Sequence, residues 1–191
     1  MSDWDYVAEL VNFNLPISRD AFIATVPFES NILDFGCGYG RITQEISELG
    51  YNKIIGIDSS QEMINRGLSD YPKLDLRHLP TEALPFANDE FDAIVLCAVL
   101  TCIPNQNARH NVLTELNRVL KPQGIIYLAE FCSDQSIRFI SSTGLPMWHS
   151  AKEELERLLE DFSIVCSTQS HCPTMSGQHS KVSHIFAQKI R

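Results

Sequence analysis

Three glycines at alternating positions, Gly36, Gly38 and Gly40, separate a short apolar run from a helical pattern. The run from Ile32 to Phe35 predicts a buried strand, and the residues from Arg41 to Leu49 predict a helix. Glycine is needed where the backbone must approach a ligand closely, and the first N–H groups of a helix are free to bind a polar group. The spacing therefore predicts a polar small molecule at the end of this strand.

Two acidic residues accompany this glycine turn. Asp34 lies within the first strand, and Asp58 ends a second apolar run that begins at Ile54. A carboxylate at the end of the second strand suits the two ribose hydroxyls that nucleotide cofactors share. The dinucleotide fingerprint G-x-G-x-x-G would have its last glycine at position 41, but this chain has Arg41 there. The acids by themselves leave the identity of the nucleotide open.

Two further motifs follow the glycine turn in order. Residues 84–92 read L-P-F-x-x-x-x-F-D before a strand predicted from Ala93 to Val99, and residues 118–124 read R-x-L-K-P-x-G before a strand predicted from Ile125 to Phe131. The ordered set resembles the class I S-adenosylmethionine-dependent methyltransferases, most closely their type 11 small-molecule group, over roughly residues 30–131. The resemblance implies S-adenosyl-L-methionine as cofactor and a small-molecule methyl acceptor as partner.

The whole chain is expected to form one α/β domain. Strand-like and helix-like apolar spacing alternate, and Phe162 to Thr168 with Lys181 to Lys189 predict a final hairpin. The fold class expected is a Rossmann-like, seven-stranded, mostly parallel sheet with helices on both faces and an antiparallel C-terminal hairpin. A dehydrogenase would more often continue with a parallel unit there.

Within the single domain 1–191 we expect three parts. Residues 1–30 would form an N-terminal helical lid or cap, with a short helix around Asp3 to Val11. Residues 31–131 would form the cofactor-binding core, and residues 132–191 the substrate segment and C-terminal hairpin.

Composition and charge restrict the partners. The net charge is −9 and the 15 basic residues are scattered, so a nucleic-acid backbone would be repelled. No apolar run approaches the ~18 to 20 residues of a membrane span, and the acidic N-terminus does not resemble a signal peptide. Six cysteines without a C-x-x-C pair suit reduced thiols. These features predict a cytoplasmic protein that binds neither nucleic acid nor membrane.

The resemblance also implies a set of cofactor-binding residues. The backbone of the glycine turn would contact the methionine part, Asp34 its ammonium group, and Asp58 both ribose hydroxyls. Gly40 would let the helix begin close by. For Met63, at the adenine, and Cys97, beneath the sulfonium, a place in the core is an equally good interpretation. The residues implied are Asp34, Gly36, Cys37, Gly38, Gly40, Asp58, Ser59, Met63, Pro80, Thr81 and Cys97.

The chain departs from the family pattern at two places. Pro80 stands where the family usually has an aspartate that accepts the adenine amino group. Adenine recognition would then fall to backbone groups around Leu79 to Thr81 or to Glu82. Thr101 and Cys102 stand where relatives often have a pair of histidines, which weakens any claim of a catalytic histidine there.

The implied chemistry is in-line displacement of the methyl group, in which alignment in a dry site can supply most of the acceleration. If the acceptor needs a general base, His149 is the first candidate, because it follows the fifth strand, where this fold has its substrate segment. The alternative is an exposed loop histidine next to a helix start at Ser150. Apolar lining of the acceptor site, or simple core packing, would come from Phe131, Phe139, Met147 and Trp148.

Other functions have weaker support. Cys166, His171, Cys172, His179 and His184 are close in sequence, but their spacing fits no usual zinc template, so no metal site is predicted. Pro80 and the short substrate region keep a second hypothesis open, a cofactor-binding module without transferase activity that regulates or binds a partner. A different reaction of the same cofactor and an NAD-binding enzyme are further alternatives.

Overall fold

The computed structural model describes residues 2–80, 83–174 and 177–190. Its strands are β1 Ile32–Phe35, β2 Ile54–Asp58, β3 Asp75–His78, β4 Phe91–Cys97, β5 Leu120–Cys132, β6 Ile137–Ile140, β7 Pro146–His149, β8 Phe162–Pro173 and β9 His179–Lys189. Its α-helices are α1 Arg19–Thr25, α2 Arg41–Glu48, α3 Gln61–Asp70, α4 Gln106–Val119 and α5 Lys152–Leu158, and two 3₁₀ helices span Asp3–Val7 and Leu100–Cys102.

Seven of these strands form one sheet in the order β3-β2-β1-β4-β5-β9-β8. Strands β1 to β5 are parallel, whereas β9 pairs antiparallel with both β5 and β8. The predicted fold class is therefore confirmed, including the C-terminal hairpin. The strand order reverses direction at β1, which has β2 on one side and β4 on the other. Ligands of open α/β sheets bind at such a switch point.

Helices cover both faces of the sheet. On one face α4 and α5 bury Leu113, Leu116 and Leu155, and on the other face α2 buries Ile42 and Ile46. These residues recur at helical spacing in the sequence, as is typical of helix faces that pack on a core.

Some elements have the predicted bounds and others do not. Strands β1 and β2 have the predicted ends, but β4 begins two residues earlier than predicted and stops at Cys97. It stops because Ala98 has φ +57°, which turns the chain out of the sheet. The separate two-stranded sheet of β6 and β7 was not predicted, and it contains Met147, Trp148 and His149. Among the described residues, no helix is long and apolar enough to cross a membrane.

Candidate cofactor and acceptor site

A cavity of about 530 Å³ lies at the carboxyl ends of β1, β2 and β4. The sheet brings together there most of the residues that the sequence singled out. Those that line the cavity are Asp34, Gly36, Cys37, Gly38, Asp58, Ser59, Met63, Pro80 and Cys97. Gly40 and His149 are not among the lining residues, and Thr81 lies outside the described residues, as does Glu82.

The glycine turn brings bare backbone to the cavity. Gly36 and Gly38 have φ of +69° and +55°, a region that side chains disfavour. A Cβ on Gly36 would lie 2.7 Å from Val99, and one on Gly38 would lie 2.8 Å from the ring of Phe13. Gly40 is also at positive φ. It directly precedes α2 and lies against Leu76, so it contributes to the start of the helix and not to the cavity lining. A side chain at Gly36 or Gly38 would be strained by its backbone angles and would displace Val99 or Phe13.

Asp58 connects the glycine turn to α3. One carboxylate oxygen accepts the N–H of Gly38 and the other accepts the N–H of Ser60, both at 2.8 Å. Burial raises the pKa of Asp58, and the two backbone donors oppose that shift. Each oxygen keeps a free lone pair, so the carboxylate can still accept the two hydroxyls of a ribose.

Asp34 is a carboxylate with almost no exposed surface at the floor of the cavity. It accepts a hydrogen bond of 2.6 Å from the Thr43 hydroxyl, and burial raises its pKa to about 6. A buried carboxylate is stabilised by a cation or by several donors. The charge of Arg41 and the hydrogen bonds from Thr43 oppose the effect of burial, but the pKa of Asp34 stays raised. The ammonium group of a methionine moiety fits this need, so the donor and acceptor set of the site fits S-adenosylmethionine.

Three cysteines border the cavity, and two of them, Cys37 and Cys97, concern the cofactor half. Cys97 ends β4, and its thiol points toward the Leu15 carbonyl at 3.8 Å. Burial raises the pKa of both Cys97 and Cys37, so both stay protonated thiols near neutral pH. Neither thiol is suited to act as a nucleophile; they fill space beside the glycine turn.

The N-terminal segment covers this part of the cavity. Phe13 stacks on Tyr39 with ring centroids 5.3 Å apart, and Trp4 packs edge-on against Phe13. Arg66 of α3 donates to the carbonyls of Ala8 and Val11, each at 2.7 Å.

Trp4 and Phe13 line the cavity and were missed by the sequence analysis. The available signal was the capping box of Ser2 and Asp5, which marks a helix start. Whether the segment moves as a lid stays a prediction.

A second half of the cavity is apolar. It is built by the loop after β4, by α4, by β5 and by the β6–β7 hairpin. Among the described residues, the lining side chains from these elements carry no charge at neutral pH: Thr101, Cys102, Ile103, Pro104, Val112, Phe131, Leu145, Pro146 and Met147. This half suits an organic molecule.

His149 lies behind that apolar surface. Its ring stacks on Phe131 at 5.6 Å between centroids and meets Phe139 edge-on at 4.8 Å. Burial lowers the pKa of His149, which favours the neutral, basic form. Phe131 lines the cavity, whereas His149, Phe139 and Trp148 do not. The role of His149 as a base stays a prediction.

The Cys/His-rich C-terminal hairpin has no metal-binding geometry within the part of the chain that the structure describes. His184 is hydrogen-bonded to the buried Tyr127 hydroxyl at 2.8 Å and to Ser170 at 3.1 Å. The thiol of Cys172 points to the carbonyl of Asn14. These side chains serve packing and hydrogen bonding.

Comparison with known proteins identifies the class. Residues 33–128 match the family model described as a methyltransferase domain, so the chain belongs to this methyltransferase family. A solved S-adenosylmethionine-dependent methyltransferase from Methanosarcina mazei superposes with a TM-score of 0.81 at 26% identity, covering 89% of this chain and 97% of that one. The predicted resemblance to class I methyltransferases is confirmed.

Curated relatives are similar over part of their length. A ubiquinone/menaquinone biosynthesis C-methyltransferase from Geotalea daltonii is 31% identical over 147 residues, which are 71% of this chain and 61% of that protein. A demethylmenaquinone methyltransferase from Staphylococcus saprophyticus is 36% identical over 106 residues, 53% of this chain and 44% of the relative. The chain thus spans about half the length of these relatives.

Proposed function

We propose that this chain transfers the methyl group of S-adenosylmethionine to a small organic acceptor. The observation that carries the proposal is that one cavity has two unlike halves. One half presents the backbone of Gly36 and Gly38 between the carboxylates of Asp34 and Asp58, and the other is apolar and uncharged. A charged cofactor and an organic acceptor could be held side by side in it.

The side chains would act by binding and orientation. When bound, S-adenosylmethionine supplies a methyl group on a positively charged sulfur, and the acceptor atom displaces it in line. Asp34 would hold the ammonium group and Asp58 the ribose. Phe131 and Met147 would hold the acceptor and exclude water, and holding two reactants in line can by itself supply most of the acceleration.

The acceptor is proposed to be a small organic molecule. One curated relative is named a ubiquinone/menaquinone biosynthesis C-methyltransferase and the other a demethylmenaquinone methyltransferase. A solved neighbour with 20% identity and a TM-score of 0.71 is a 1,6-didemethyltoxoflavin-N1-methyltransferase from Burkholderia thailandensis with bound S-adenosylhomocysteine. The net charge of −9 argues against a nucleic-acid acceptor. Six free cysteines support a reducing, cytoplasmic location.

The first experiment is calorimetric titration with S-adenosylmethionine, S-adenosylhomocysteine and NAD. Saturable binding of the first two alone supports the cofactor assignment, whereas binding of NAD alone contradicts it. Formation of S-adenosylhomocysteine is then measured with four probe acceptors: 1,4-naphthohydroquinone, catechol, tryptamine and thiophenol. Release of S-adenosylhomocysteine with any of them above the acceptor-free rate supports methyl transfer.

A second candidate is a cofactor-binding module without transferase activity, and Pro80 is the residue that favours it. Pro80 lines the cavity but has no side-chain acceptor for the adenine amino group, so weaker cofactor binding is expected. A solved neighbour with 17% identity is named as a [4+2]-cyclase, so this fold also occurs in an enzyme named for other chemistry. Cofactor binding without product from any probe would favour this candidate.

His149 remains the proposed base for an acceptor that must lose a proton. His149→Ala is then expected to lower turnover at neutral pH and to remove the acidic limb of the pH profile. Full turnover of the variant across pH would exclude the role, and the aromatic variant His149→Phe controls for the ring stack on Phe131.

A further inference from the structure

The loop after β4 is held by a buried carboxylate that has no part in the cofactor site. Glu130, near the end of β5, accepts the N–H groups of Val99 and Leu100 at 2.9 and 2.8 Å through one oxygen and that of Thr101 at 3.0 Å through the other. Glu130 is 1% exposed. Three backbone donors on one carboxylate fix this loop tightly.

A buried arginine holds the same loop from its carbonyl side. Arg109 of α4 is 1% exposed and donates to the carbonyl of Leu100 at 2.7 Å and to that of Ile103 at 2.8 Å. Leu100 is therefore bound at its N–H by Glu130 and at its carbonyl by Arg109. The loop residues Thr101, Cys102, Ile103 and Pro104 line the acceptor half of the cavity.

The guanidinium of Arg109 also reaches the β6–β7 hairpin. It donates to the Ser150 hydroxyl at 2.7 Å and to the Trp148 carbonyl at 3.3 Å, and it lies 3.6 Å from the centre of the Trp148 ring. Arg138 covers the other face of that ring at 4.0 Å. The hairpin contributes Pro146 and Met147 to the cavity. One side chain thus joins two of the four elements that enclose the acceptor half.

We propose that Arg109, together with Glu130, is a positioning residue for the methyl acceptor: it clamps the loop of residues 99–103 to the β6–β7 hairpin and so sets the shape of the acceptor half. This inference rests on the proposed function. Lysine cannot replace Arg109, because an ammonium group lacks the planar fork that reaches three carbonyls and a hydroxyl while stacking on a ring.

The test compares Arg109→Lys with Arg138→Lys, the same substitution on the opposite face of the same tryptophan. Hydrogen exchange of backbone amides in residues 99–103 and 137–149 should become about tenfold faster in Arg109→Lys, because both segments open more easily without the hydrogen bonds of the guanidinium. Its dissociation constant for S-adenosylhomocysteine should stay within about twofold, because the groups that Arg109 itself contacts belong neither to the glycine turn nor to Asp34 or Asp58. Arg138→Lys should change neither quantity by more than about twofold.

Two results would overturn the clamp. One is exchange of the hairpin in Arg109→Lys within about twofold of the unsubstituted protein. The other is faster exchange throughout the sheet together with weaker S-adenosylhomocysteine binding, which would mean a role in global stability alone. If Arg109→Lys does not fold, Ser150→Ala removes a single acceptor, and unchanged hairpin exchange in that variant would also overturn the clamp.

Turnover gives an independent readout. With 1,4-naphthohydroquinone as probe, Arg109→Lys should raise KM for the acceptor about tenfold and leave KM for S-adenosylmethionine within about twofold. The proposed function and the proposed clamp can fail separately. If the unsubstituted protein binds no S-adenosylhomocysteine, the proposed function fails. Unchanged hydrogen exchange in Arg109→Lys overturns the clamp alone.

Discussion

Replacing Asp58 tests the cofactor half most directly. In Asp58→Ala both proposed acceptors for the ribose hydroxyls are removed, and the N–H groups of Gly38 and Ser60 lose their partner. A hydrogen bond to a charged group contributes about 1.5 to 3 kcal/mol, so two of them amount to at least about 3 kcal/mol. Because about 1.4 kcal/mol corresponds to tenfold, S-adenosylhomocysteine should bind more than about 100-fold more weakly.

The assay is calorimetric titration of protein shown to be folded by circular dichroism. Asp75→Ala is the matched control, because Asp75 is an exposed carboxylate on the neighbouring strand that is bonded to Arg77, and its loss should leave affinity unchanged. Asp58→Asn keeps one oxygen and should show an intermediate loss. An affinity of Asp58→Ala within about threefold of the unsubstituted protein would refute the assignment of Asp58 to the ribose.

Three further predictions concern buried groups. If Asp34 binds the cofactor ammonium, affinity for S-adenosylmethionine should fall up to about tenfold per pH unit below its pKa of about 6, because the protonated acid loses its charge. Burial raises the pKa of Glu130 from 4.5 to about 7, so the folded state binds a proton that the unfolded state releases. The free energy of unfolding should therefore fall as the pH rises from 4.5 to 7, by at most roughly 3 kcal/mol. Gly67→Ala should lower stability by about 1 to 3 kcal/mol, because its Cβ would lie 2.6 Å from Leu76 and 2.8 Å from the Tyr39 carbonyl.

Each of these has its own control. Asp34→Asn should bind more weakly and without the acidic slope; a slope that persists in it would remove Asp34 from the explanation. Urea unfolding of Glu130→Gln from pH 4.5 to 7 should show a flatter pH dependence, and an unchanged dependence would contradict the raised pKa. Gly144→Ala, at a glycine with positive φ but open space around it, separates backbone strain from the overpacking expected at Gly67.

The parts of the fold that sequence predicted well are those that depend on near neighbours. The bounds of β1 and β2 and the glycine turn follow from short apolar runs and from positive φ at Gly36 and Gly38, which are local properties. The seven-stranded, mostly parallel sheet with an antiparallel C-terminal hairpin was also expected, because the ordered motifs carry the family resemblance, and the structure confirms it.

Side-chain destinations were predicted less well. The position of His149 after β5 predicts a place in the site. Pairing with Ile137 in the hairpin and stacking on Phe131 place it behind the lining residues, and its role as a base stays a prediction. Arg109 lies on the same helical face as the buried Leu113 and Leu116, and Glu130 interrupts an apolar strand. Both are therefore charged residues at positions that the sequence pattern predicts to be buried. Their partners could not be read from the chain.

The sequence by itself determined the class of protein, the glycine turn and the two carboxylates, because strand ends and backbone angles depend on residues close in the chain. Tertiary structure alone decided that Phe13 packs over Gly38, that Arg109 joins the loop after β4 to the hairpin, and that the cavity has an uncharged half. These contacts join residues far apart in sequence, and they form because burial of apolar surface and satisfaction of buried polar groups select one packing for the whole chain.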